Sequence, residues 1–160
     1  MMARTTTPST ILLHGDDTSR DVKDGVAQES ITPGELVEVQ GSQDTGADEA
    51  RQLGAQSNEG VPVPTRVALE YSHTGGGIDD DYAADEHAEF RHFKKGEEAY
   101  MWLAAGENVT EDDLLVSDGS GALRVSDGTD KENNAAIMVA TEAVDNSGGA
   151  EAVRVRAEVI

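Results

Sequence analysis

Cysteine is absent from this 160-residue chain. That removes a disulfide framework, a thiolate metal site and a thiol nucleophile together. Aromatic residues are nearly absent too, with one Trp, three Tyr and two Phe. A core must therefore be small and aliphatic, filled by Val, Ala and Leu. Pro is rare while Gly is frequent, a balance that suits short strands joined by tight turns better than long helices. No apolar run approaches the ~20 residues that a membrane-spanning helix requires. Ile11-Leu12-Leu13 is far too short for a secretory h-region, so the chain is expected to be made and kept soluble inside the cell. The motifs of common catalysis are missing as well: no G-x-S-x-G elbow, no Gly-rich phosphate loop before a helix, no H-E-x-x-H. No enzyme activity and no cofactor are expected.

Positive charge is the other shortage. Lys and Arg total 12 against 32 Asp and Glu, a formal charge of −20. The excess is spread evenly: residues 1–80 hold 14 acids and 5 bases, and residues 81–160 hold 18 and 7. Lysine is confined to Lys23, Lys94, Lys95 and Lys131. Such a surface repels itself in dilute buffer, whereas at molar salt the Debye length falls to roughly 3 Å and the repulsion is screened. Few lysines and evenly spread acids resemble the proteins of salt-in haloarchaea. A field of this sign leaves no basic face to neutralise phosphates, so nucleic acid is not an expected partner.

What is present reads as β structure. Glu35 to Val39 is a strand entered by a Pro33-Gly34 turn. Arg66 to Glu70, Ala99 to Leu103 and Ala136 to Ala140 are further strands. Leu114 to Ser117 and Ala122 to Val125 flank Asp118-Gly119-Ser120-Gly121, which predicts a β-hairpin. The last strand alternates with period two: Val153, Val155, Ala157 and Val159 share one face, and Arg154, Arg156 and Glu158 share the other. Short helical turns are expected at most within 80–90 and 110–114. Residues 1–30 read as an extended N-terminal arm outside a single β domain at 31–160, with acidic loops near 41–60 and 72–96. An internal repeat is visible. Ile31-Thr32 with Glu35-Leu36-Val37 parallels Val109-Thr110 with Asp113-Leu114-Leu115-Val116. Val67-Ala68-Leu69-Glu70 runs to Gly76-Gly77 at the same spacing as Val139-Ala140-Thr141-Glu142 to Gly148-Gly149. The expectation is an all-β, mainly β fold: a small barrel or sandwich made by two related halves, which removes exposed edges.

Few residues carry candidate chemistry. His73, Asp79, Asp80, Asp81, Asp85, Glu86, His87, Glu89 and His92 combine carboxylates with imidazoles, ligand types for a divalent ion. Asp79, Asp80, Asp81 and His87 come closest to a site. Their spacing fits no calcium loop, because the sixth position from Asp79 is Ala84, not Gly. A solvated acidic loop without metal is the better reading. Arg91, His92, Phe93, Lys94 and Lys95 form the basic cluster, a candidate docking point for an acidic partner; Arg91, Phe93, Lys94 and Lys95 are its core. Ile11, Leu12 and Leu13 are the apolar residues of the arm and its candidate contact. Asn108-Val109-Thr110 is a glycosylation sequon, which matters only on a secreted chain.

The stretch from Val67 to Ile160 resembles the capsid decoration, or cement, proteins of tailed viruses, of a haloarchaeal type. The residues that carry the resemblance are V-A-L-E-Y-S-H-T-G-G-G-I-D-D-D-Y from Val67, G-E-E-A-Y-M-W-L-A-A-G-E-N-V from Gly96, the hairpin L-L-V-S-D-G-S-G-A-L-R from Leu114, and A-T-E-A-V-D-N-S from Ala140. The pattern is one of strands and turns, with no catalytic signature. It implies a compact β domain, commonly a homotrimer, on the exterior of a capsid. There it would bind the major capsid protein and cross-link neighbouring capsomers, with no membrane partner. An N-terminal arm would add affinity by strand addition and by multivalency.

The even acidity generates a first prediction. Lowering salt below about 1 M should reduce the melting temperature as screening weakens; a melting temperature unchanged from high to low salt would refute it.

Overall fold

A computed structural model describes residues 7–15, 22–44, 49–71, 74–132 and 134–160. The fold is almost all β with a small closed barrel, as expected, and is made from two related halves. Each builds its own five-stranded unit. The first unit contains β2 (Val22–Ala27), β3 (Val37–Asp44), β4 (Glu49–Ala55), β5 (Arg66–Ala68) and β6 (His87–His92), in the order β3-β4-β2-β6-β5. The second contains β7 (Glu98–Leu103), β9 (Leu114–Ser117), β10 (Leu123–Val125), β11 (Met138–Ala140) and β13 (Val153–Val159). Its order is β7-β10-β9-β11-β13, and β13 pairs back onto β7 to close a barrel. A short strand, β1 (Leu12–His14), adds to β7. β8 (Asn108–Val109) and β12 (Val144–Asp145) pair with each other, and α1 (Gly128–Glu132) is the helix among the described residues.

The units repeat one another pairing by pairing. β2 runs parallel to β4, and β7 runs parallel to β10. β2–β6 and β7–β13 are antiparallel, as are β5–β6 and β11–β13. Leu36 bridges Val67 where Leu114 pairs with Val139. Ile31 bridges Tyr82 where Val109 pairs with Val144. Glu35 N–H donates to the Thr32 carbonyl where Asp113 N–H donates to that of Thr110, both at 3.1 Å. The repeat read from the sequence is therefore a repeat of fold, and it extends further towards the N-terminus than Ile31.

That extension corrects the expected arm. Val22–Ala27 is a central strand of the first unit, and Ala27 is fully buried. The strand is hard to see because V-K-D-G-V-A has little apolar pattern. Gly25 sits there because the Leu53 side chain and the Arg51 carbonyl occupy the space a Cβ would need. Ile11, expected to be a capsid contact, is buried with Leu103, Leu115 and Val155 of the second unit, while its neighbours hold β1 against β7. The loop expected at 41–60 contains most of a β3–β4 hairpin. A register shift between Val39 and Gly41 resets the pleat and hides the alternation. The loop expected at 72–96 contains β6, and neither 80–90 nor 110–114 forms a helix. Residues 1–6, 45–48 and His73 lie outside the described residues. The hairpin predicted at 114–125 forms, with Leu123 opposite Ser117 and the Asp118 carboxylate accepting from Ser120 and Ala122 at its tip.

Two cores result. One gathers Leu103, Leu115, Leu123, Met138, Val155 and their neighbours inside the closed barrel, together with Leu36, Val67 and Phe93 from the first unit. The other packs Ile31, Leu53, Ala88 and Phe90 inside the first unit. Arg154 fastens the two units. Its guanidinium donates to the carbonyls of Pro33 (2.7 Å) and Ile78 (2.5 Å) and to Asp79 (3.2 Å), all in the first unit. It also lies 3.9 Å from the ring centroid of Trp102, whose indole N–H donates to the same Pro33 carbonyl. Arg154, on the polar face of β13, therefore meets the neighbouring unit more than solvent.

Arg154→Ala strands the Ile78 carbonyl and leaves the Pro33 carbonyl to Trp102 alone. A buried acceptor left without a donor costs about 1–3 kcal/mol, and the lost stacking on Trp102 adds up to about 2 kcal/mol. Urea unfolding should show a loss of about 2–5 kcal/mol, with Arg154→Lys recovering only part because an ammonium lacks the planar fork that stacks on Trp102. Wild-type stability in the alanine variant would show that the clamp is idle.

Candidate functional site

β6 separates two surface features, one at each end. At its N-terminal end lies a cavity of about 300 Å³ bordered by Tyr71, Tyr82, His87, Asp80, Asp81 and Glu86. Tyr82 is fixed at both ends. Its backbone bonds Ile31, and its hydroxyl donates to the Leu69 carbonyl at 2.6 Å. Burial, chiefly, pushes that phenol above the usual tyrosine range. The Tyr71 ring is tilted against Tyr82 (6.3 Å) and His87 (5.9 Å), giving a three-ring wall. The carboxylates of the facing turn are partly used by their own backbone: Asp80 accepts from Gly77 N–H, and Glu86 accepts from Ala83 N–H.

Asp80, Asp81 and His87 border this cavity but are not arranged around one ion. Asp79 turns away to Arg154, and His87 Nε2 lies 3.5 Å from Asp24. Among the described residues, no group of three or more His, Cys, Asp or Glu side chains is arranged to hold a metal ion.

At the C-terminal end of β6, the basic cluster divides. Arg91 and Phe93 are buried, each about 1% exposed, and are supports of the fold, not contacts. Arg91 is ion-paired with buried Glu97, and its guanidinium lies 5.4 Å from the Phe93 ring centroid. Lys94 and Lys95 are exposed. They border a groove of about 560 Å³ together with Lys23 from β2, His92, Thr65 and Val159. Sequence reasoning missed Lys23, 71 positions before Lys94; the available signal was the rarity of lysine. Of the arm residues, Ile11 is buried, and its N–H donates to Glu70 at 3.1 Å. Leu12 and Leu13 are half-buried and border a shallow groove with Glu70.

Comparison with known proteins comes down to fold. No family model matches the chain, and no curated protein matches it. Its fold is similar to that in the crystal structure of the head fiber gp8.5 N base in bacteriophage phi29. The TM-score is 0.57 with 11% sequence identity, and the match covers 87% of this chain and 92% of that one. The likeness thus spans both β units.

Glu35 is a titratable group that the sequence did not mark out. Burial, above all, pushes its carboxyl up to about 7 from the usual 4.5; a backbone hydrogen bond at Thr32 opposes the shift, and Asp81, Glu29 and Asp118 add to it. Between pH 4.5 and 7 the folded chain holds a proton that the unfolded chain has released. This contribution to stability is complete below 4.5 and is lost as pH rises through 7. Glu35→Gln should therefore stabilise the protein at pH 8 and flatten this part of the decline between pH 5 and 8. Chemical denaturation at both pH values would measure it, and an unchanged slope would reject the assignment.

Proposed function

We propose that this chain is a structural component of a virion, bound to the exterior of the capsid shell, where it stabilises the shell by cross-linking neighbouring capsomers. The observation that carries this reading is the likeness of the whole two-unit fold to the base of a phage head fiber. The resemblance of Val67 to Ile160 to capsid decoration proteins points the same way. The major capsid protein is the partner this reading requires, with self-association as a homotrimer supplying several contact points per particle. Neither nucleic acid nor membrane is a partner in this reading, and no reaction or cofactor is involved. The acid-rich composition supports a virus whose host keeps molar salt in its cytoplasm, where the chain would be synthesised.

A second reading is another virion module, a turret, tail or adhesion protein, that binds a host glycan or a cation. The Tyr71–Tyr82–His87 wall beside Asp80 and Asp81 favours it, since aromatic faces bind cations and carboxylates complement them.

Gel and mass-spectrometric analysis of purified virions separates the possibilities. The shell reading expects a copy number comparable to that of the major capsid protein. Absence from virions would end both readings. A few copies per particle, with host attachment lost on Tyr71→Ala, would favour the second.

A further inference from the structure

The chain has four lysines, and three of them, Lys23, Lys94 and Lys95, border one groove. His92 joins them, and the groove holds about 560 Å³. On a molecule of charge −20, this concentration of the scarcest charged residue runs against the overall composition.

The backbone beside the groove is also tied by hydrogen bonds. Glu97 N–H donates to the Lys94 carbonyl at 3.0 Å, closing a turn over Lys94, Lys95 and Gly96. Gly96 takes the left-handed conformation (φ +86°) that the turn needs. Its N–H donates to the Val159 carbonyl at 2.8 Å. The Glu97 carboxylate accepts from Lys94 N–H at 2.8 Å and pairs with buried Arg91. The floor is tied by Thr65, whose hydroxyl donates to the Phe93 carbonyl at 2.7 Å while Phe93 N–H donates back at 2.9 Å. Lys23 arrives from the adjacent strand, paired opposite Phe90 of β6. A buried ion pair and a ladder of backbone bonds thus hold the cationic side chains at fixed stems, which lowers the ordering cost of binding.

We propose that this groove receives a short carboxylate-rich segment of the shell protein. The inference rests on the shell-bound reading above and names its contact. Charge decides the class of ligand. A nucleic-acid duplex carries a phosphate charge about every 1.7 Å along its axis, so a duplex reaching this groove would run on across acidic surface and be repelled there. A segment with two or three carboxylates can end where the lysines end. At high ionic strength the attraction acts only at contact distance, so the groove discriminates by direct pairing instead of long-range steering.

Two experiments test this separately from the shell reading. The first titrates the purified protein with a hexa-glutamate peptide and, in parallel, with a duplex oligonucleotide, at the lowest salt that keeps it folded. The peptide should perturb the amide resonances of Lys23 and of residues 94–96. Lys23→Glu with Lys95→Glu should weaken its binding at least about tenfold, and Lys23→Arg with Lys95→Arg should retain it. No perturbation by peptide, or perturbation by the duplex alone, overturns the proposal. The second adds wild type or the Glu double variant, matched in melting temperature, to shells stripped of this protein. Loss of binding only in the variant supports the groove. Equal binding by both overturns the groove and leaves the shell reading standing. If wild type fails to bind shells, the shell reading and its named contact fall together, and the titration then reports only the groove's affinity for carboxylates.

Discussion

The architecture depends on one largely buried guanidinium. Two five-stranded units, which also share apolar contacts through Leu36, Val67 and Phe93, meet at the side chain of Arg154, which takes up carbonyl oxygens from one unit while lying on an aromatic ring of the other. Desolvation, its largest influence, lowers the affinity of that guanidinium for its proton, but an arginine still stays charged at any ordinary pH. The cation is kept inside by its hydrogen bonds, with Asp79 supplying the countercharge at the rim. A second junction uses the same chemistry. Arg91, from the last strand of the first unit, pairs with Glu97 just before the first strand of the second. In a chain this acidic, two of its few arginines are spent on holding the units together.

That arrangement explains where sequence reading succeeded and where it failed. The hairpin at Leu114–Val125 was legible because each side chain obeys one local rule, from turn Asp and Gly residues to flanking aliphatics. The β13 alternation was legible for the same reason. β2 was not, since its burial comes from backbone approach at Gly25 and from neighbours far along the chain. β6 was hidden by its letters: His, Glu and Arg signal exposure, yet Arg91 is buried by a partner six positions away. The internal repeat was the most informative long-range signal. Its short matches, Leu36 with Leu114 and Val67 with Val139, turn out to occupy corresponding pairs in the two units.

The candidate surfaces were legible only in part. Lys94 and Lys95 kept the exposed role their composition suggested, while Arg91 and Phe93 beside them became the groove's foundation. The acidic-loop residues split three ways: Asp79 to the unit junction, Asp80 into its own turn, and His87 towards Asp24. Adjacent letters point in different directions on a strand or a tight turn, so a cluster in sequence is a poor guide to a cluster in space.

β7 lies between the chain's first and last described strands, β1 on one side and β13 on the other, each antiparallel to it. β1 and β13 therefore run in the same direction. Tension drawing β1 towards its start and β13 towards its end would pull them in opposite directions along a common axis. Antiparallel ladder bonds lie perpendicular to the strands, so such a load would shear many at once instead of peeling them singly. The placement of three residues, Leu12–His14, thus gives the molecule a mechanical grain, one suited to bearing tension along β7.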